Sequence, residues 1–297
     1  MVSYLDDTNR IEVYNGTAWA QVTPDVPSAT PGTAGIVFGR TPTTDTATTS
    51  YGRNSAASAT AGAFTGNLVI GNNSATSLST GHNNVVSGNQ SALSLASGTF
   101  NTFVGNATGF VMNGDGNTAL GFAAAYSWGS TGNNNTCVGS GAGGTAVPST
   151  YSGSNNTLLG YNASPSSNSV SNEITLGNSS IATIRAQVTS ITALSDERDK
   201  TDIQPLEYGL DFVKELNPVS FTWNMRDGAK VGELDFGFIA QQLAEVEDKH
   251  EADRLKLTLR TNPEKLETTP GRLIPILVKA VQELSAKVEE LEAKLNG

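Results

Sequence analysis

Charge is what the middle of this 297-residue chain lacks. Between Pro27 and Leu194 its only Asp, Glu, Lys and Arg residues are Arg40, Asp45, Arg53, Asp115, Glu173 and Arg185. Residues 195–297, by contrast, hold 14 basic and 21 acidic side chains. Two segments so different in solvation are not expected to share one core. Cysteine is also scarce: Cys137 is alone, so no disulfide forms within the chain, and an unpaired thiol fits synthesis in a reducing cytoplasm. With only His82 and His250, far apart, no zinc-type ligand cluster is expected, and nothing points to a cofactor. No stretch approaches the roughly 20 apolar residues of a membrane span. The first residues, MVSYLDDTNRIEVYNG, lack the basic start and apolar run of a signal peptide. A net charge of −10 without a basic stripe gives no reason to expect nucleic-acid binding.

What the uncharged stretch does have is Gly, Asn, Ser and Thr in a period. Asn, two variable residues, an aliphatic position and Gly recur as NLVIG (67–71), NVVSG (84–88), NTFVG (101–105) and NTALG (117–121). The series continues as NTCVG (135–139), NTLLG (156–160) and EITLG (173–177), with glycines 17, 17, 16, 18, 21 and 17 apart. A disordered tract has no reason to keep such spacing. Each unit predicts one short strand with alternate apolar residues, such as Leu68 and Ile70, or Phe103. The Gly supplies a sharp turn, and the Asn suits left-handed backbone or an Asx turn. One unit cannot bury its face alone, but stacked units share a core. The stack is thin, so association of several chains around an axis is the natural way to bury more surface.

Around the repeats, residues 1–22 read as a small β unit with Asn15-Gly16 turning a hairpin between two strands. It is either a plug that docks on a larger particle or a cap on the stack. Residues 23–65 read as a Pro/Thr/Ala/Gly-rich linker, and 66–180 as the repeat shaft. In the stalk, 181–194, Ile181, Ile184, Val188 and Ile191 suit a helix by spacing but strands by β-branching, and strands are preferred. Segment 273–295 is a strict heptad with Ile274, Val281, Val288 and Leu295 on one seam position and Leu277, Leu284 and Leu291 on the other. That predicts a coiled coil of about 33 Å. β-Branched residues at the first seam position with Leu at the second favour two strands. A trimer therefore has to be argued from the repeats and from family resemblance. The bland alternative is an amphipathic helix packed on its own domain.

The repeats at 66–181 resemble the head repeats of trimeric adhesins and phage tail-fibre shafts, which are parallel β-rolls or β-helices in homotrimers. The C-terminal motifs SDERDKTDIQPLEYGLDFVKELNPVSFTW, FGFIAQQL and RLIPILVKAVQELSAKVEELEAKL resemble the endosialidase-type intramolecular chaperone domain of phage tail fibres and tailspikes. The resemblance implies a mainly β, homotrimeric fibre with an α+β chaperone domain at 195–297. It also implies that this domain promotes assembly and then cuts itself off between Leu194 and Ser195, with Ser195 and Lys200 as the catalytic dyad. Asp199 departs from the apolar residue often found at that place in the family.

The chemistry can be argued on its own. A serine hydroxyl needs a neighbouring base, and with no histidine nearby a lysine is the available one. A lysine in water is charged, and it must be neutral to accept a proton. Burial, or a cation such as Arg198, favours the neutral amine, whereas Asp196, Glu197 and Asp199 favour the charged one, so the base needs tertiary shielding. Five residues apart on an α-helix would place the two side chains about 140° apart. The dyad is therefore expected on other backbone or between chains. Aromatic and aliphatic residues such as Leu210, Phe212, Val219, Phe221, Trp223, Phe236, Phe238 and Ile239 are expected to form the domain's core.

By this reading the chain works in a virion tail, is made in the host cytoplasm, docks on a tail or baseplate protein through its N-terminal unit and binds a host-surface glycan or protein. Tyr126, Trp128 and Tyr151, in the long inserts between Gly121 and Asn156, are the candidate receptor contacts. No turnover of an external substrate is expected. A polysaccharide-degrading tailspike needs two carboxylates a few ångströms apart, and the shaft offers only Asp115 and Glu173, more than three repeats apart. A bacterial trimeric adhesin needs an export signal and an anchor.

Overall fold

The computed structural model describes strands 2–5, 10–14, 19–21 and 39–40 as backbone, together with residues 49–58, 66–129, 131–144, 151–188 and 191–296. The chain divides into two compact units, Met1–Asn178 and Ser179–Gly297.

In the first unit, β1 (Val2–Leu5), β2 (Arg10–Tyr14) and β3 (Trp19–Gln21) form an antiparallel sheet. Tyr14 lies opposite Trp19, so four residues separate β2 from β3 rather than the two expected. The Asn15-Gly16 turn itself lies outside the described residues. A second sheet begins with β4 (Gly39–Arg40), antiparallel to β5 (Thr49–Tyr51). Seven parallel strands follow in chain order: β6 (Leu68–Ile70), β7 (Val85–Ser87), β8 (Thr102–Val104), β9 (Thr118–Leu120), β10 (Thr136–Val138), β11 (Thr157–Leu159) and β12 (Ile174–Leu176). Each carries one sequence motif, and each next strand returns to lie beside it. The repeat region is a β-solenoid.

In β5–β11 only the middle residue is buried. Val69, Val86, Phe103, Ala119, Cys137 and Leu158 are buried and stack with Leu78, Leu95, Met112 and Trp128 into one core. Leu68 and Ile70, expected inside, face outward beside buried Val69. A three-residue strand that is apolar throughout carries no mark of which face is inner. Burial pushes the Cys137 thiol up to about 12, which leaves it a core side chain and not a nucleophile.

The motif asparagine does more than was expected of it. Its backbone is not left-handed. That conformation falls one residue earlier, at Asn83, Phe100, Asn134, Asn155 and Asn172. The motif side chains instead form a buried ladder. Asn67 Oδ1 accepts from Asn84 N at 2.9 Å and from Asn84 Nδ2 at 3.0 Å. The pattern repeats through Asn101, Asn117, Asn135 and Asn156. Each Nδ2 also donates to a carbonyl of its own turn, as Asn101 does to Gly114 at 2.8 Å. Glu173, in the asparagine position of the last turn, continues the ladder by donating its N–H to Asn156 Oδ1 at 3.0 Å, while its carboxylate accepts from Ser166 N at 2.8 Å. The motif glycines are fixed by close approach. A Cβ on Gly88 (φ +145°) would collide with the Gly105 carbonyl, and one on Gly105 (φ +139°) with that of Gly121.

In the second unit the described stalk residues, 181–188 and 191–194, form neither helix nor strand. Their apolar anchors are open to solvent, Ile191 at 99%. Beyond them α1 (Leu210–Val213), α2 (Ala240–Lys249) and α3 (Leu273–Asn296) pack a small core of Tyr208, Phe212, Ala252, Leu257, Leu273 and Ile276. The hairpin of β13 (Pro218–Asn224) and β14 (Val231–Phe238) departs from expectation. Phe238 packs against the core, but Val219, Phe221 and Trp223 are only half-buried and Phe236 is exposed. A two-stranded ribbon covers neither of its own faces. A short antiparallel pair, β15 (Thr258–Leu259) and β16 (Glu267–Thr268), completes the unit. Helix α3 reconciles the two readings of its sequence. Leu273, Ile276 and Ala280 are buried on the domain, while every heptad seam residue from Ile274 to Leu295 is exposed.

Candidate functional site

The second unit brings Ser195 and Lys200 together within one chain. Residues Glu197–Asp199 form a single 3-10 turn capped by Asp196, whose carboxylate accepts from the Arg198 N–H at 2.9 Å. The same carboxylate grips the Arg198 guanidinium in a fork, Nε to Oδ1 at 3.0 Å and an Nη to Oδ2 at 2.6 Å. This pairing holds the Asp196 carboxyl below the usual carboxylate range and raises Arg198. The chain leaves the turn extended at Lys200, and its Nζ donates to Ser195 Oγ at 2.7 Å and to the Ser195 carbonyl at 3.0 Å. The tight turn solves the spacing problem that an α-helix would pose.

A lysine nitrogen at that distance is within reach of the hydroxyl proton. The Leu194 carbonyl belongs to the residue bonded to Ser195 and is therefore near the hydroxyl by covalent geometry. In one chain Ser195, Lys200 and Leu194 are all exposed, so a single chain does not supply the shielding that the chemistry calls for. Asp199 is exposed and makes the turn's last residue.

The residues read as receptor contacts fall elsewhere. Trp128 is fully buried, its Nε1 donates to the Gly153 carbonyl at 3.1 Å, and Tyr151 packs against it, itself buried. Neither ring is open to a ligand. The indole belongs to the same core as Leu78, Leu95 and Met112 of earlier turns. Tyr126 is half-buried and stacks on Phe110, ring centres 4.8 Å apart. Asp115 and Glu173, the carboxylates a glycosidase reading would need, are each bound to neighbouring Thr or Ser groups. Among the described residues no group of three or more His, Cys, Asp or Glu could hold a metal ion, and no helix is long and apolar enough to cross a membrane.

One buried charge escaped the sequence reading. Glu247 on α2 is 1% exposed and accepts from Leu257 N at 2.7 Å and Thr258 N at 3.1 Å, tying α2 to β15. The signal was present: Glu247 sits four residues after Leu243, on the apolar face of the helix.

The chain thus joins a β-solenoid to a second unit that opens on a serine–lysine pair and ends in a helix with an exposed heptad seam. Residues 195–250 match the family model described as chaperone of endosialidase, so the chain carries a domain of that type. The chain is also 35% identical over 102 residues to "Long tail fiber protein Gp37" of Enterobacteria phage K3, covering 34% of this chain and 8% of that protein. It is likewise 35% identical over 102 residues to the protein of the same name in Enterobacteria phage T2, covering 34% of this chain and 7% of that one. It thus spans less than a tenth of the length of these relatives. No solved structure matches.

Proposed function

We propose that this chain is a phage tail-fibre protein whose C-terminal domain assembles three copies and then releases itself by cleavage between Leu194 and Ser195. The observation that carries this reading is the 2.7 Å approach of Lys200 Nζ to Ser195 Oγ, at the first residues of the chaperone-type segment. Neutral Lys200 takes the Ser195 proton as Oγ adds to the Leu194 carbonyl. The adduct expels the Ser195 nitrogen, which receives the proton back from the lysine, leaving an ester between Leu194 and Ser195. Water opens the ester to a Leu194 carboxylate and a Ser195 hydroxyl with a free α-amino group.

Two features support self-association. The heptad seam of α3 is exposed throughout, and the outward strand residues Leu68, Ile70, Val85, Leu120 and Leu159 form an uncharged apolar face. Parallel pairing of three chains carries a register problem and high contact order. A coiled coil holds the chains together and raises their local concentration. Neighbouring copies then shield the dyad that one chain leaves exposed, so cleavage follows assembly. Removal of the domain makes the assembly irreversible, leaving a kinetically stable shaft. The N-terminal β unit docks on a tail or baseplate protein, and the shaft binds the host surface.

Intact-mass analysis of the purified protein tests this. The wild type yields a fragment ending at Leu194, and Ser195→Ala leaves the chain whole. A fragment ending at Leu194 from the Ser195→Ala variant removes the dyad assignment. The tailspike alternative is not favoured, given how Asp115 and Glu173 are bound.

A further inference from the structure

We infer that the return leg of the solenoid, the segment that follows each motif glycine, carries a binding site for a neutral oligosaccharide built on Phe122 and Tyr161. The inference rests on the host-binding reading above and gives that reading a place and a ligand class.

The position just after the motif glycine is stacked from turn to turn by backbone hydrogen bonds. Ala123 N donates to the Asn106 carbonyl at 2.9 Å, Gly141 N to that of Phe122 at 2.8 Å and Asn162 N to that of Ser140 at 3.0 Å. Asn106, Phe122, Ser140 and Tyr161 are therefore successive rungs of one column. Earlier rungs carry Asn72 and Asn89, and the first carries Arg53, whose carbonyl accepts from Asn73 N at 2.8 Å, four rungs before Phe122. Against this polar background Phe122 and Tyr161 stand out at 62% and 65% exposed. Nothing in the chain's own core needs a ring there. With rungs about 4.8 Å apart, the two positions lie about 10 Å apart along the column with Ser140 between them.

The ligand class follows from chemistry. A ring face is the negative side of the aromatic quadrupole, and the axial C–H bonds of a pyranose present weakly positive hydrogens to it. Between the rings, Ser140 offers a hydroxyl to the sugar's own. From 66 to 177 the only Asp, Glu, Lys or Arg are Asp115 and Glu173, and both carboxylates already accept hydrogen bonds from their neighbours. The nearest cation in the column, Arg53, is four rungs from Phe122, so none adjoins the two rings to recognise an acidic sugar. The surface suits hexopyranoses without charge. A second copy of the chain is the competing occupant. The aliphatic strand face suits that role better than two rings set singly among Asn and Ser.

The test uses the full chain, wild type and the double variant Phe122→Asn/Tyr161→Asn, which restores the residue of other rungs and so spares the fold. Probes are linear hexaoses of glucose, galactose and mannose, followed by saturation-transfer NMR and calorimetry. Saturable binding of at least one hexaose, weakened about tenfold or more in the variant with unchanged native mass, is the expected result. The inference is overturned if no hexaose binds the wild type, if the variant binds as well, or if the variant loses its oligomeric state, which would mark a contact between copies. Adsorption to a panel of enterobacterial cells separates the two readings. A variant that adsorbs like the wild type sinks the aromatic site alone, whereas a wild type that adsorbs to none sinks host binding itself.

Discussion

Asp196 shows how much one exposed side chain can organise. Its carboxylate caps the 3-10 turn through Arg198 N and clamps the Arg198 side chain, and that turn delivers Lys200 to Ser195. Removing the carboxylate by Asp196→Ala is expected to slow appearance of the cleaved fragment on a denaturing gel. Asp196→Asn, which keeps an acceptor for the Arg198 N–H, restores part of the rate. Equal rates in all three would show that the turn needs no brace. The sign with pH follows from the lowered Asp196 carboxyl. A group held below its unfolded value contributes its pairing fully above the ordinary carboxylate range. The contribution fades as pH falls through the folded value, so the brace is intact at neutral pH. The proximity of Ser195 and Lys200 was legible in SDERDK, because residues five apart can meet across a single tight turn. The burial of Trp128 was not. An aromatic in a long insert reads the same whether the insert protrudes or widens the core, and only stacking against the next turn decides it.

At the level of the element, the asparagine ladder carries the repeat. Asn101→Ala strips an acceptor from Asn117 N and Nδ2 and a donor from the Gly114 carbonyl, all buried. Leaving such groups unpaired costs about 2–4 kcal/mol, measured as a lowered urea midpoint of the solenoid. A loss under about 0.5 kcal/mol would mean that water replaces the lost partners. The period of the repeat was readable because Gly and Asn each answer a constraint that recurs every turn. The inward residue of each strand was not readable, since Leu68, Val69 and Ile70 are all apolar. Helix α3 was legible as a heptad, yet its second face, Leu273 and Ile276 on the domain core, overlaps the seam in sequence and separates only around the helix axis. The exposed apolar residues of the β13–β14 hairpin read as core because composition alone does not reveal a ribbon that lacks a third strand.

For the whole molecule, the proposal places three copies where the structure shows one. Placing a charge in the α3 seam, as Leu284→Asp does, is expected to lower the native mass from three chains to one and to abolish cleavage along with it. A monomeric variant that still cleaves would separate the dyad from assembly. Leu284 is half exposed in the single chain, so the domain's own core, centred on Phe212 and Ile276, tolerates the change.

The ladder also bears on the length of the rod. Each ladder asparagine bonds to its counterparts in the turns before and after it, and the motif glycines are 16 to 21 residues apart. Excising residues 84–100 would set Asn101 directly upon Asn67 with the same partners in the same places. The length of the solenoid is thus adjustable in whole steps, by duplication or loss of one segment of the gene, with the flanking segments left as they are.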